Sequence, residues 1–103
     1  MGEEPTLSYG ELRVLRPFLK DPSAAISVVE AIRASGLASG TAYPLLLRIE
    51  CVGYLQSRWE SGNPRELGHP RRRFYRITPR GLTALREAHH QFDQVKSTLA
   101  PSE

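Results

Sequence analysis

Ser39 to Leu55 reads SGTAYPLLLRIECVGYL, and its spacing predicts one short helix that a glycine closes before the chain enters a strand. Ser39 has the side chain of a helix cap, an oxygen that accepts from an otherwise unpaired first-turn N–H. Gly53 suits the exit, where the backbone commonly turns left-handed and a side chain would clash. Between them Ala42, Leu45, Leu46, Ile49 and Val52 recur at helical spacing on one face. Gly40, Pro44, Leu47, Arg48 and Cys51 occupy the other. One face is thus committed to a core, and the opposite face is free to meet a partner.

Upstream, residues 1–7 are expected to form a flexible tail. Ser8 with Glu11 makes a capping box, with Leu7 and Leu12 as a hydrophobic staple around it. Leu12, Leu15 and Leu19 continue a helical stripe, which Pro17 must kink or end early because it lacks an N–H and crowds the preceding turn. Asp21-Pro22-Ser23 is the break. Ser27 with Glu30 is a second capping box, opening a helix that Gly36 ends. Helix, tight glycine-containing turn and helix make a helix-turn-helix, whose second member is the one generally offered to the major groove of DNA.

Downstream, Leu55, Ser57 and Trp59 alternate with Gln56, Arg58 and Glu60 as in a strand. The polar, turn-rich SGNPRELGHP of residues 61–70 reads as a loop, and RRFYRI of residues 72–77 as the returning strand. The result is a β-hairpin with a long tip; Trp59 is expected to pack within it, with a ligand platform, or a wall of a cavity between two subunits, as the competing reading. Thr78 caps a last helix with Pro79 at its first position. Leu82, Leu85, His89, Phe92, Val95 and Leu99 then recur at three- or four-residue steps, a stripe roughly 25 Å long. That exceeds what a small domain needs for its own core, so a second copy is expected to cover the surplus, with Leu12 of the first helix helping. The expected fold is mainly α with a small β-hairpin: a winged helix-turn-helix over residues 8–77, and a C-terminal dimerisation helix and tail over 78–103.

The 103 residues suffice for one domain, and no apolar run approaches a membrane span. The acidic start, MGEEPTLSYG, has no signal-peptide core, and the lone Cys51 fits a reducing, cytoplasmic setting. Net charge is only +3, yet residues 58–80 carry seven arginines against two glutamates, and the rest of the chain is net −2. Every basic residue in that segment is arginine, whose planar fork matches phosphate. The competing reading is a solvated basic loop.

SGTAYPLLLRIECVGYL followed by QSRWE and then GHPRRRFYRITPRG resembles the PadR family of bacterial transcriptional regulators. The resemblance rests on Gly40-Thr41-Ala42-Tyr43-Pro44 opening the recognition helix and on Ile49-Glu50 with Gly53 closing it. It also rests on Pro70-Arg71, Phe74-Tyr75 and Thr78 with Gly81 in the wing and its exit. It covers about residues 8–90 and implies a dimeric DNA-binding repressor on a near-palindromic operator. The sequence departs from the family at Pro17, within a helix the family runs unbroken, and at Leu47, in a place often basic. A small-molecule inducer would be a further partner, of no class that the residues specify, and the short last helix argues against a large inducer pocket.

The candidate DNA contacts follow from chemistry and position. Ser39, Gly40 and Thr41 offer hydroxyls and N–H groups at the positive end of the helix dipole, although Ser39 has capping as an alternative role. Tyr43 can set its ring on the helix and reach a phosphate or base edge with its hydroxyl, or else belong to the core. Pro44 follows the first-turn donors and implies a tightened start. Leu47 can meet a thymine methyl. Arg48 can meet phosphate or pair near Glu50. Arg71 and Arg73 are expected to share one strand face with Arg72 opposite, and Arg65 stands at the tip; each offers phosphate contact or solvated decoration. His69, His89 and His90 make no metal pattern. No nucleophile–base pair, phosphate loop or carboxylate pair has a useful spacing, so neither an enzyme nor a cofactor is expected. The second reading is a winged-helix interaction module that docks its basic hairpin on an acidic protein.

Overall fold

A computed structural model describes residues 7–99, with side chains to Gln91. The elements in order are α1 (Tyr9–Leu15), α2 (Pro17–Lys20), β1 (Ile26–Ser27), α3 (Val28–Ser35), α4 (Ser39–Cys51), β2 (Leu55–Trp59), α5 (Pro64–Leu67), β3 (Arg73–Ile77) and α6 (Pro79–Leu99).

Both capping boxes form. Ser8 Oγ accepts from Glu11 N at 3.1 Å while Ser8 N donates to Glu11 Oε1 at 2.8 Å. Ser27 and Glu30 repeat the arrangement at the start of α3. Pro17 splits the first helical segment as its chemistry requires. α1 stops at Leu15, and Pro17 occupies the first turn of α2, where a missing N–H costs nothing.

The wing differs from a two-stranded hairpin. Ile26 and Ser27 add a third strand, so the antiparallel sheet runs β1-β3-β2, with Ile26 opposite Tyr75 and Ser27 opposite Phe74. A two-residue strand ahead of a capping box leaves no alternation to read, and only β3 as a neighbour defines it. Residues 61–70 are not all loop either. Asn63 caps α5, its side chain accepting from Arg65 N at 3.0 Å, with Pro64 at the first helical position. Strand β3 begins at Arg73, so Arg71 and Arg72 precede the ladder.

The core is continuous from helices to sheet: Leu12, Val14, Leu15, Phe18, Ala31, Ala42, Leu46, Ile49, Tyr75 and Leu85 are fully buried. The inward face of α4 is the expected one, with Leu45 and Val52 at its margin. Two glycines hold α4, β2 and α6 together. Gly53 turns at φ 87°, releasing the chain from α4. Gly81 lies flush against the backbone of Tyr54, and any Cβ there would collide with the Tyr54 carbonyl. Thr78 completes the joint: its N–H donates to Tyr54 O at 3.0 Å, its hydroxyl donates to Gly53 O at 2.7 Å, and the same oxygen accepts from Gly81 N at 3.0 Å. The Thr-x-x-Gly spacing is thus a clamp between the end of the recognition helix and the start of α6.

The dimerisation stripe needs correction at two positions. Leu12 and Leu85 are fully buried in the protomer's own core and have no surface to offer a second copy. Leu82 and His89 are half-buried. The side chains of Phe92, Val95 and Leu99 lie outside the described residues.

Candidate nucleic-acid interface

The first turn of α4 lacks a side-chain cap. Ala38 stands at the N-cap, extended at φ −64° and ψ 148°, and Ser39 is already helical. The expected capping role of Ser39 therefore does not hold. The carbonyl of Ala38 accepts from both Thr41 N and Ala42 N at 2.9 Å, which tightens the turn. No side chain covers the N–H groups of Ser39 and Gly40, and Ser39, Gly40, Thr41, Tyr43 and Pro44 are all exposed. Exposed donors at the positive end of a 13-residue helix are an anion site in waiting.

Tyr43 and Leu47 are each 38% exposed, so Tyr43 is not a core residue. Arg48 pairs with neither Glu50 nor its surroundings. Its Nε meets Glu11 Oε2 at 2.7 Å, with the carboxylate buried and the arginine largely in solvent. Since Glu11 Oε1 serves the α1 capping box, one carboxylate ties the recognition helix to the start of α1. Sequence spacing places Glu11 as a cap alone, and its second partner depends on how the helices pack.

The arginines divide by what they touch. Arg73 turns toward α4: its Nη2 meets Glu50 Oε1 at 2.8 Å and Ser57 Oγ at 2.9 Å, while Ser57 Oγ donates to Glu50 Oε2 at 2.6 Å. Its guanidinium lies 5.9 Å from the Trp59 ring centroid and 5.6 Å from that of Tyr75. Arg73 is thus a strut between wing and recognition helix, and its pairing with Arg71 on one face does not hold. Burial pushes the Tyr75 hydroxyl above its ordinary value of 10.0; the Arg73 charge opposes this and the Glu50 charge adds to it. Arg76 donates to Ser23 O at 2.7 Å and Arg80 to Val52 O at 3.1 Å, so both serve the fold. Arg71 Nε donates to Gly62 O at 2.6 Å, bracing the wing tip. The exposed guanidinium groups of Arg58, Arg65 and Arg72 have no partner among the described residues. Arg58 is the addition: its place on the solvent side of β2 was legible in the alternation, but its freedom was not.

Trp59 is 64% exposed and does not pack within the hairpin. It shares the α4-facing side of β2 with Leu55 and Ser57, but α4 covers that side only as far as the Glu50–Ser57 bond. Cys51 is an exposed free thiol. Among the described residues no group of His, Cys, Asp and Glu is placed to hold a metal, and no helix is long and apolar enough to cross a membrane.

A helix-turn-helix with its second helix uncapped and exposed, flanked by a basic three-stranded wing, defines the winged-helix class. The model of the transcriptional regulator PadR-like family matches residues 18–87, and the chain belongs to that family. It is accordingly a DNA-binding transcriptional regulator and not an enzyme. Solved structures of the same fold include a PadR family transcription regulator from Clostridium difficile R20291, with TM-score 0.73 at 21% identity over 89% of this chain and 95% of that one. A PadR-like transcriptional regulator from Bacillus cereus gives TM-score 0.68 at 22% identity over 86% and 85%. BpsR of Bordetella bronchiseptica, whose DNA binding is regulated by 6-hydroxynicotinic acid, gives TM-score 0.74 at 17% identity over 99% and 72%. No curated protein matches the sequence.

Proposed function

We propose that the protein is a cytoplasmic, dimeric repressor that binds a near-palindromic operator through α4 and the wing. Residues 8–77 would form the DNA-binding unit, and residues 78–103 the dimerising helix and tail. One observation carries this reading: the first turn of α4 is open, uncapped and exposed, while Arg58, Arg65 and Arg72 of the wing region are charged, exposed and without a partner among the described residues. Ser39, Gly40 and Thr41 meet a phosphate. Tyr43, Pro44 and Leu47 face the groove, and Arg65, Arg71 and Arg72 neutralise flanking phosphates. Arg73 contributes by fixing the wing's attitude through Glu50. Arg48 reaches the backbone from its Glu11 pair, since 59% of its side chain remains in solvent. Leu82, His89, Phe92, Val95 and Leu99 meet a second copy.

Selection of bound duplexes from a random pool tests the reading. The expected product is an inverted repeat with half-sites about one helical turn, roughly 34 Å, apart. Recovery of no preferred sequence would overturn operator binding, and recovery of single half-sites would overturn the dimer.

A further inference from the structure

Glu11 has no surface to offer DNA: it is 3% exposed, on the helix α1 that packs against α4. Its two oxygens have separate duties. Oε1 accepts from Ser8 N at 2.8 Å, and Oε2 meets Arg48 Nε at 2.7 Å. The helices come close enough for this because Gly10 has no side chain; a Cβ there would stand 3.0 Å from Leu45 Cδ1. A carboxylate so buried is costly to leave without its cation, so Arg48 is held at Nε. The other end of the arginine is open. Its side chain is 59% exposed, and its terminal nitrogens have no partner among the described residues. It stands one turn beyond Pro44 and two beyond Thr41 on the exposed face of α4. An arginine loose in solvent gives up its rotamers when it meets a ligand; here folding has already fixed the guanidinium.

We infer that Glu11 is a positioning residue for DNA binding. From α1, without touching DNA, it presents the terminal nitrogens of Arg48 on the exposed face of α4, and it keeps its hold on Nε in the complex. The inference rests on the operator reading, in which Arg48 meets the duplex, and extends it to a residue buried outside the interface. It also gives the carboxylate's charge a purpose. The capping box by itself is served as well by glutamine, whereas the contact of Oε2 with an arginine calls for an anion. Two other roles make different predictions: a contact that serves the fold alone, and a restraint that holds Arg48 back from DNA.

The test is a double-mutant cycle on the full chain, with affinity for the duplex recovered by selection measured by anisotropy over a range of salt. Glu11→Gln keeps an oxygen for Ser8 N and turns an amide toward Arg48 Nε, which releases the arginine with its charge intact. It is expected to weaken the duplex about two- to tenfold per protomer, the cost of ordering one rotamer-rich side chain on binding, without lowering the salt slope. Arg48→Ala is expected to weaken binding further and to lower the slope by about 0.9 per protomer. The double variant is expected to bind as Arg48→Ala does, because Glu11 acts only through Arg48. Ser8→Ala, which removes the other half of the cap, is expected to lower the urea midpoint and leave duplex affinity unchanged. In the parent, the Nε–H resonance of Arg48, assigned by its loss in Arg48→Ala, is expected to stay protected from exchange with and without duplex, a reading that needs no Glu11 variant to fold. Equal binding by Glu11→Gln and the parent would leave Glu11 a fold contact, and tighter binding would make it a restraint. Either result overturns the inference, as does protection lost when duplex is added, and operator binding stands in all three cases. If Arg48→Ala binds as the parent does, the Arg48 contact fails, and if the parent binds no duplex, operator binding fails; each takes this inference with it.

Discussion

At the residue scale, a few side chains carry two duties each, and these are the ones a sequence reading assigns incompletely. Glu50 holds both Ser57 and Arg73, joining recognition helix to wing. Glu50→Gln keeps the shape and removes the charge. Both partners are about three-quarters buried, so the loss of this charge-assisted contact is expected to cost about 1–3 kcal/mol. Duplex affinity is expected to fall further than stability, because the wing loses its fixed attitude; urea unfolding and duplex anisotropy measured side by side check this. Tyr75 gives a pH prediction. Burial raises its folded-state value above the ordinary 10.0, so the unfolded chain releases that proton first. Its contribution is intact below pH 10 and is lost as pH climbs through the raised folded value. Tyr75→Phe is therefore expected to flatten the alkaline decline in urea midpoint above pH 10, with the parent as the reference. A parent and variant that decline in parallel would contradict it. The two capping boxes and the inward face of α4 were readable because a local pattern determines them; the Ser39 cap was not, because Ala38 takes the N-cap position. Arg48, Arg73 and Trp59 were not, because the partner of Arg48 depends on how α1 packs against α4, and the surroundings of Arg73 and Trp59 depend on how far α4 extends over the sheet.

At the element scale, α4 and α6 meet through the Thr78 and Gly81 clamp. The residue types there were visible in the sequence, but their reason lies in the close approach of Gly81 to the Tyr54 backbone. Gly81→Ala is expected to cost at least about 2 kcal/mol, as overpacking against rigid backbone does. Thr78→Val, which loses the bonds to Gly53 and Gly81, is expected to cost about 1–2 kcal/mol. Chemical denaturation measures both, and a neutral Gly81→Ala would contradict the clamp. Helices α1, α3 and α4 were legible from capping boxes, Pro17 and the apolar face of α4. Strand β1 and helix α5 were not: two residues are too few for periodicity, and the Asn63-Pro64 start is masked by the turn-forming residues around it.

At the scale of the whole molecule, the charge separation in the sequence becomes a division of labour. Some arginines brace the fold, and others at the wing present charge with no partner among the described residues. α6 packs on α1 and α2, with Leu85 and Ala88 buried, and its 21 residues run about 31 Å. Phe92, Val95 and Leu99 continue the apolar spacing along it. Sedimentation is expected to give a dimer, and Phe92→Glu with Val95→Glu to give a monomer of much weaker duplex affinity; a monomeric parent would contradict this.

The central claim is that wing arginines and the open start of α4 bind duplex DNA through its phosphates, and the dependence of duplex affinity on salt tests it most directly. Each phosphate neutralised contributes about 0.9 to the slope of log affinity against log salt. Arg65→Ala with Arg72→Ala is expected to weaken binding to every duplex and to lower that slope by about 2 per protomer. A double variant that keeps both the affinity and the slope of the parent would contradict the account.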